Sequence, residues 1–327
     1  MSKLTLLSPT DYVAQATESI NNARERVVLL SMIIADHSQT HEMIDALLVA
    51  AKRGVAVYVA ADIFTYGEIS GSFLPIKYYS KPSRNATNMG KLLKEAGVKF
   101  HWLGRSTMTI FNGRTHSKWC IVDSTVYTFG GVNMYDAGVE NADYMFFCDS
   151  SELADRLFKE YQQLVQADRN GRLYNSRRIP FNDDHVLIDG GILGNSIIYK
   201  RACELASQAD KITFLSQYPP TGKLAKILKT RKTTFYFNSP ENASFVNRMT
   251  IRYSMLISNI ATRYKRLRYI HAKAIIFYMA DGSRVAVTGS HNFNYSTVFL
   301  GTREIALETK DPEVIDQLET FIKNEIV

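Results

Sequence analysis

Two segments of this 327-residue chain repeat each other in residue type and spacing, and this repeat constrains the fold most strongly. In each, a His and a Lys two positions apart begin an apolar run, and a Gly-containing turn with an Asn closes it. The copies are His116, Lys118, Gly130, Gly131 and Asn133, then His271, Lys273, Gly289, Ser290 and Asn292. Because alternate strand residues share a face, the His and Lys of each pair are predicted to point the same way.

Helices and strands around the two segments recur in the same order, which predicts a duplicated α/β unit. The first half alternates amphipathic helices with apolar runs, and residues 27–34 have the pattern of a strand buried on both faces. The second half begins this order again with a helix predicted at 194–208. The polar stretch 168–184 is the predicted linker. The domains are therefore predicted at residues 1–175 and 176–327.

The bulk composition is that of a globular chain with a moderately basic charge. A formal net charge of +7 and an isoelectric point near 9.1 favour nucleic acid, anionic lipid headgroups or small phosphates as partners. Cys120, Cys148 and Cys203 are predicted to be free buried thiols, which favours a reducing compartment. No signal peptide is predicted, and the longest apolar run, near 27–35, is shorter than the roughly 20 residues that cross a bilayer. We expect a cytoplasmic protein, with a peripheral position at the membrane surface as an alternative.

Two His-Lys pairs that meet in one cleft suit phosphodiester chemistry. A neutral imidazole can attack phosphorus and hold a covalent phosphoryl group, while a protonated imidazole donates to the leaving alkoxide. The cations Lys118 and Lys273, and the amides of Asn133 and Asn292, are predicted to offset charge on the non-bridging oxygens. This set requires no metal and no cofactor.

The two imidazoles must hold opposite protonation states, and a carboxylate on one ring nitrogen would fix tautomer and basicity. Asp143 follows Asn133, and Glu304 follows Asn292, at the head of matching strands. Both carboxylates are therefore predicted to lie beside the Gly-Asn turns. The symmetry of the repeat does not say which His attacks.

On these residues the chain resembles the phospholipase D superfamily, whose motif is H-x-K-x-x-x-x-D followed by G-[SG]-x-N. The first copy is complete and includes Asp123, which is interpreted either as a supporting active-site residue or as a hairpin-turn residue. In the second copy Tyr278 stands at the Asp position, and Asp281 follows three residues later. Whether Asp281 replaces the missing Asp stays open. With its internal repeat, the resemblance spans essentially the whole chain.

The resemblance implies two tandem α/β/α lobes that form a pseudo-twofold unit with a shared cleft. It implies a phosphohistidine intermediate, with His116 as nucleophile and His271 as general acid. By the same resemblance Asp143 and Glu304 orient the imidazoles. Bacterial cardiolipin synthases and related phosphatidyltransferases are the members to which the chain is most similar. The substrate-contacting residues are expected to include Gly131 and Ser290.

Three functions are compatible with these features. The first is a metal-independent phosphodiesterase or phosphatidyltransferase acting on phospholipid, as cardiolipin synthases and phospholipases D do. The second is a nuclease, which the basic charge suits, although no interleaved aromatic and basic platform stands out. The third is a non-enzymatic adaptor that keeps a decayed site. Headgroup, acceptor, the choice between hydrolysis and transfer, and oligomeric state are not predicted.

Two further segments combine apolar and basic residues. Residues 242–269 are predicted to contain a basic amphipathic helix, which can lie in a membrane interface, guide an anionic substrate, or pack on the core with a solvated charged face. The aromatic and basic segment 71–84 is predicted to be a cleft lid, a membrane contact or an ordinary packed loop.

Overall fold

The structure is a computed structural model that describes residues 2–70, 80–104, 113–171 and 174–327. Within these residues, each half of the chain forms one seven-stranded mixed sheet. The first sheet consists, in spatial order, of β1 (Thr5–Leu7), β7 (Met145–Asp149), β6 (Thr125–Thr128), β5 (Trp119–Val122), β2 (Arg26–Ser31), β3 (Ala56–Asp62) and β4 (Lys99–Leu103). The second consists of β11 (Lys232–Tyr236), β10 (Lys211–Leu215), β12 (Ala274–Tyr278), β13 (Arg284–Gly289), β14 (Arg303–Thr309), β9 (Asp184–Gly190) and β8 (Arg177–Phe181).

The helices form layers on both faces of these sheets. In the first half they are α1 (Pro9–Asn22), α2 (His41–Lys52), α3 (Phe64–Ser70), α4 (Lys81–Glu95), α5 (Asp136–Glu140) and α6 (Ser151–Arg169). In the second half they are α7 (Ile197–Gln208), α8 (Gly222–Lys229), α9 (Phe245–Ser258), α10 (Tyr295–Leu300) and α11 (Pro312–Phe321), with a π-helical turn at Ile322–Ile326. No helix of the described ranges combines the length and apolarity needed to cross a membrane.

The two sheets repeat one strand order. The series β7-β6-β5-β2-β3 in the first corresponds to β14-β13-β12-β10-β11 in the second, with one parallel pair, β2 with β3 or β10 with β11, at the same place in each. The packing of helices on the sheets is also repeated in the two lobes. One buried cluster joins a face of both sheets with α6 and α11, while α1, α2 and α4 cover the other face of the first sheet and α7 and α8 that of the second. The predicted tandem α/β lobes are confirmed.

Local sequence signals account for several element boundaries. Ser8 caps α1 by accepting a hydrogen bond from the Asp11 amide, and Pro9 occupies the first turn. The apolar run at the centre of the first sheet is buried on both faces as β2, as predicted. The three cysteines are free and buried, as predicted.

The predicted linker at 168–184 is wrong in part. Helix α6 continues to Arg169, β8 begins at Arg177, and β9 begins at Asp184. Strand β8 lies at the sheet edge, alternates exposed with more buried residues and contains Pro180, so its apolar signal is weak. The domain boundary predicted after residue 175 falls between α6 and β8 and stays a prediction.

The loop predicted at 71–84 differs from the structure where it can be compared. Residues 71–79 lie outside the described residues. Residue Ser80 caps α4, and its hydroxyl accepts a hydrogen bond from the Ser83 amide, so the end of the predicted loop is helical. Pro82 in the first turn of α4 is compatible with this helix start.

Candidate active site

Each motif His is held by the backbone of the opposite lobe. The segment before β5 carries His116, whose amide donates to the Arg303 carbonyl at 2.8 Å. The segment before β12 carries His271, whose amide donates to the Ala142 carbonyl at 3.0 Å. Short parallel bridges, Thr115 with Arg303 and Ala142 with Ile270, extend these contacts. The two motifs therefore meet where the lobes join.

The carboxylates predicted to orient the imidazoles are exchanged between the lobes. The residue after Ala142 is Asp143, and its Oδ2 lies 2.7 Å from His271 Nδ1. The residue after Arg303 is Glu304, and its Oε1 lies 3.4 Å from His116 Nδ1. Because Nδ1 of each ring faces a carboxylate, Nε2 is the nitrogen left for a reacting atom. The side chains of His116 and His271 keep 19% and 12% exposure, so both can be reached from solvent.

The two lysines lie beside the imidazoles in one electrostatic cluster. Nζ of Lys118 donates to the His116 carbonyl at 2.7 Å, and Nζ of Lys273 donates to the His271 carbonyl. Burial lowers the pKa of His116 well below its usual value, and the charges of Lys118 and, from the opposite lobe, of Lys273 lower it further. All the groups of both His-Lys pairs therefore share one site.

Burial and neighbouring charges set the protonation of the lysines and of His271. Burial lowers the pKa of Lys118 to about 8 and that of Lys273 to about 7, against the opposing pull of buried carboxylates. Burial, with the charge of Lys273, lowers the pKa of His271 to about 4, although Asp143 acts in the opposite direction. At neutral pH the two imidazoles are therefore neutral, and the lysines are close to their titration midpoints.

The two carboxylates are unequal. Burial raises the pKa of Glu304, although the hydrogen bond from Ser290 and the charge of Lys118 act in the opposite direction. Burial also acts to raise the pKa of Asp143. The hydrogen bond with His271, together with the attraction of Lys273 and of the His271 imidazolium at the low pH where Asp143 titrates, outweighs burial, so the pKa is lowered. Asp143 is therefore ionised near neutral pH, and His271 faces a more fully ionised carboxylate than His116 does.

The residues at the second position of each turn contact these two carboxylates in different ways. A Cβ on Gly131 would lie 2.6 Å from Asp143 Oδ2 and 2.8 Å from the His271 carbonyl oxygen, so the close approach of the lobes requires glycine. The equivalent Ser290 donates its hydroxyl to Glu304 Oε2. Gly131 and Ser290 were expected to contact substrate, and in the structure both contact these carboxylates.

The two predicted amides are buried beside polar groups that the motif analysis missed. The Ser31 hydroxyl donates to Asn133 Oδ1 at 3.3 Å, and the Ser216 hydroxyl donates to the Asn292 carbonyl at 2.8 Å. Both serines directly follow a Leu at the end of an apolar strand run. This shared ending of β2 and β10 is a second internal repeat, and it is the signal that could have found them.

The expected supporting role of Asp123 in the site is corrected by its position. Asp123 lies in the turn after β5, and the four residues of that strand separate it from Lys118, which places the two Cα atoms roughly 16 Å apart at about 3.3 Å per residue step. Its carboxylate accepts the amides of Arg24, Glu25 and Arg26 at 2.9, 2.9 and 3.0 Å. Asp123 therefore anchors the segment that leads into β2.

The second copy has no equivalent anchor at its own hairpin within the described residues. The Tyr278 hydroxyl donates to Glu319 at 2.8 Å, and Asp281 accepts from the amide and hydroxyl of Ser283 in an exposed turn. Asp281 therefore neither joins the cluster nor reproduces the contacts of Asp123.

A buried ion pair positions the residue before His116, and the sequence analysis missed it. Asp62, at the end of β3, accepts from the Arg114 guanidinium at 3.0 Å and from the Thr115 amide at 2.9 Å. Both charged side chains are almost fully buried. A lone Asp and a lone Arg carry no motif signal, because only the fold brings them together.

A group of tyrosines lies beside the segment that leads into His271, because Tyr269 is two residues before that histidine. Tyr135, two residues after Asn133, donates to Glu68 at 3.3 Å. Gln217 donates to the hydroxyls of Tyr218 and Tyr269 at 3.0 and 3.1 Å. These side chains come from distant parts of the chain, so no local pattern predicts their association.

Comparison with known proteins finds a family match for the first lobe and similar folds for the whole chain. Residues 16–165 match the family model described as cardiolipin synthase, PLD-like domain, and no curated protein matches the sequence. The solved structure of phosphatidylserine synthase from Haemophilus influenzae is similar with a TM-score of 0.72 and 14% identity, over 98% of this chain and 85% of that one. Polyphosphate kinase from Porphyromonas gingivalis has a TM-score of 0.62 and 13% identity, over 99% of this chain and 47% of that one. These likenesses show the fold, and the match over residues 16–165 shows that most of the first lobe is similar to the cardiolipin synthase, PLD-like domain.

Proposed function

We propose that the protein cleaves phospholipid phosphodiesters by transfer through a phosphohistidine, as a phosphatidyltransferase or a phospholipase D. One observation carries this proposal. Two neutral imidazoles, each with Nδ1 against a carboxylate of the opposite lobe, leave two Nε2 atoms for a shared phosphate. The match to a cardiolipin synthase, PLD-like domain supports a phospholipid as the substrate.

In the proposed first step, Nε2 of His116 attacks phosphorus, and the bond from phosphorus to the leaving alkoxide breaks. His271 gives that alkoxide a proton, so it leaves as an alcohol. Water or an acceptor alcohol then attacks the phosphohistidine while His271 takes its proton, and His116 is released as neutral imidazole. Lys118 and Lys273, with the Asn133 and Asn292 amides, offset the charge on the non-bridging oxygens.

The two roles are assigned from the electrostatics. His116 faces Glu304, the carboxyl group with the raised pKa, and the pKa of His116 itself is held well below its usual value. Both features suit a nucleophile that must be neutral. His271 faces ionised Asp143, which stabilises the imidazolium that a general acid must form. An anionic phosphodiester in the site would raise the pKa of His271 and supply the protonated form.

Incubation with phosphatidylglycerol and a labelled alcohol tests this function. We expect a transphosphatidylation product in the presence of a chelator, and its loss in His116→Ala. Single-stranded DNA is the second substrate of the test, because the net charge of +7 favours a polyanion as well. Cleavage of DNA without turnover of lipid would overturn the lipid assignment.

A further inference from the structure

Helix α9 exposes its apolar face to solvent. Phe245 is 76% exposed and Leu256 is 80% exposed, and four further large side chains between and beside them are also more than half exposed: Val246, Met249, Tyr253 and Ile257. At about 100° per residue these six side chains fall within a sector of roughly 120°. They form one continuous stripe, which we call the α9 apolar face.

The opposite side of α9 packs on the protein with smaller and more polar residues. Its buried residues are Ile251, Ser254 and Ser258. Helices of globular proteins usually bury the apolar stripe and expose the polar one. In α9 this arrangement is reversed, so packing against the residues that the structure describes does not explain the apolar face.

In the first lobe the equivalent of α9 is α4, and the apolar face of α4 is buried against its neighbours. Helix α4 lies in the same place in the chain order, before the motif strand, and buries Ala86, Met89 and Leu93 in a cluster with residues of β4. The second sheet of the described chain ends at β11, without an equivalent of β4. The second lobe therefore leaves its helix with an apolar face and no strand beside it.

Several contacts fix α9 in this orientation. Nζ of Lys229 donates to the Ser258 carbonyl at 3.1 Å at the end of the helix. The Tyr218 hydroxyl donates to Asn247 at 2.7 Å, and Gln217 links Tyr218 to Tyr269, two residues before His271. The helix is thus connected to the His271 side of the candidate active site.

The charge on and after α9 is basic and favours an anionic occupant. Residues 242–270 contain no Asp or Glu and contain six Lys or Arg residues: Arg248, Arg252, Arg263, Lys265, Arg266 and Arg268. The nearest acidic residue before them is Glu241, beside Arg248 and Arg252. Arg252 is exposed at the border of the apolar face. A basic border would repel the same face of a second copy but complements anionic lipid, to which each basic residue near the surface adds about 1 kcal/mol.

We infer that the α9 apolar face inserts into the interface of an anionic membrane and docks the protein there. This deepens the proposed function, because it would bring the His271 side of the active site to its lipid substrate. The docking itself requires only the surface of α9 and not the catalytic chemistry.

Vesicle co-sedimentation of the intact protein tests the docking. We expect binding to vesicles of equal parts phosphatidylcholine and phosphatidylglycerol, and little binding to phosphatidylcholine alone. The Phe245→Ser/Leu256→Ser variant should bind about tenfold or more weakly, because two large apolar side chains no longer leave water. Arg252→Glu should also weaken binding. The control variant is Leu92→Ser on α4, where Leu92 is 54% exposed outside the α9 apolar face.

Two controls separate docking from catalysis. The α9 variants should hydrolyse a soluble p-nitrophenyl phosphodiester at the wild-type rate, whereas His116→Ala should bind vesicles normally without turnover. Failure of wild-type protein to bind anionic vesicles, or unchanged binding by the α9 variants, would overturn the inference. A wild-type dimer in light scattering that the α9 variant converts to monomer would also overturn it, because a second copy would then be the occupant.

Discussion

Asp143 and Glu304 occupy equivalent positions in the two lobes, but their pKa values are shifted in opposite directions. Asp143 is ionised and its Oδ2 lies 2.7 Å from His271 Nδ1, whereas Glu304, whose Oε1 lies 3.4 Å from His116 Nδ1, has its pKa raised by burial. A carboxyl group with a raised pKa is ionised less completely near neutral pH, so it supports the basicity of its histidine less. The two residues should therefore differ in their effect on the reaction.

Asp143→Asn should slow cleavage of a diester with an alkyl leaving group by about 10²–10⁴-fold, because His271 loses the anion that stabilises its protonated form. Glu304→Gln is the matched control, and it should slow the same cleavage by less than about tenfold, because Gln resembles protonated Glu. A p-nitrophenyl leaving group needs no general acid, so in Asp143→Asn the first turnover should release p-nitrophenolate as a burst at a nearly normal rate. Equal losses in the two variants, or equal losses with both leaving groups, would contradict the assigned roles.

The depressed lysine pKa values predict how activity depends on pH. A lysine is charged below its pKa and neutral above it, so Lys273, with a pKa of about 7, and then Lys118, with a pKa of about 8, lose charge as pH rises. We expect kcat/KM for the soluble p-nitrophenyl diester to fall as pH rises through 7 to 8, because kcat/KM reports the free enzyme. A profile that stays flat to about pH 9 would show that the lysines remain charged.

At the scale of elements, the turn after β6 packs directly against the opposite lobe. Gly131→Ala would place a Cβ against Asp143 and the His271 carbonyl. We expect a loss of about 1–3 kcal/mol in the free energy of unfolding by urea, together with loss of turnover. Ser290→Ala removes only a hydroxyl at the equivalent position, and it should lower the free energy of unfolding by about 1 kcal/mol. A Gly131→Ala protein with wild-type stability and activity would contradict this packing.

The sequence predicts elements with a local pattern and misses those that depend on distant partners. The cap at Ser8, the buried run of β2 and both motif strands follow from residue spacing. Strand β8 was missed because an edge strand with Pro180 has little apolar periodicity. The exchange of carboxylates was missed for a different reason: Asp143 is 128 residues from His271, and the repeat is equally compatible with pairing inside each lobe.

At the scale of the whole molecule, the lobes share one core. A single buried cluster contains residues of both sheets, and the Tyr144 hydroxyl of the first lobe donates to the Lys273 carbonyl of the second at 3.1 Å. We expect one cooperative transition in calorimetry, and Tyr144→Phe should lower its midpoint without splitting it. Two separate transitions would show that the predicted domains, 1–175 and 176–327, are independent folding units.

The most direct test of shared phosphate chemistry is the mass of the quenched enzyme. In His271→Ala, a soluble p-nitrophenyl diester should react once, because its leaving group needs no acid, while the second step lacks its base. Intact-mass and peptide analysis should then locate the phosphoryl adduct on His116, with a burst of p-nitrophenolate and no adduct in His116→Ala. An adduct on any other residue, or wild-type turnover by His271→Ala without an adduct, would contradict the proposed mechanism.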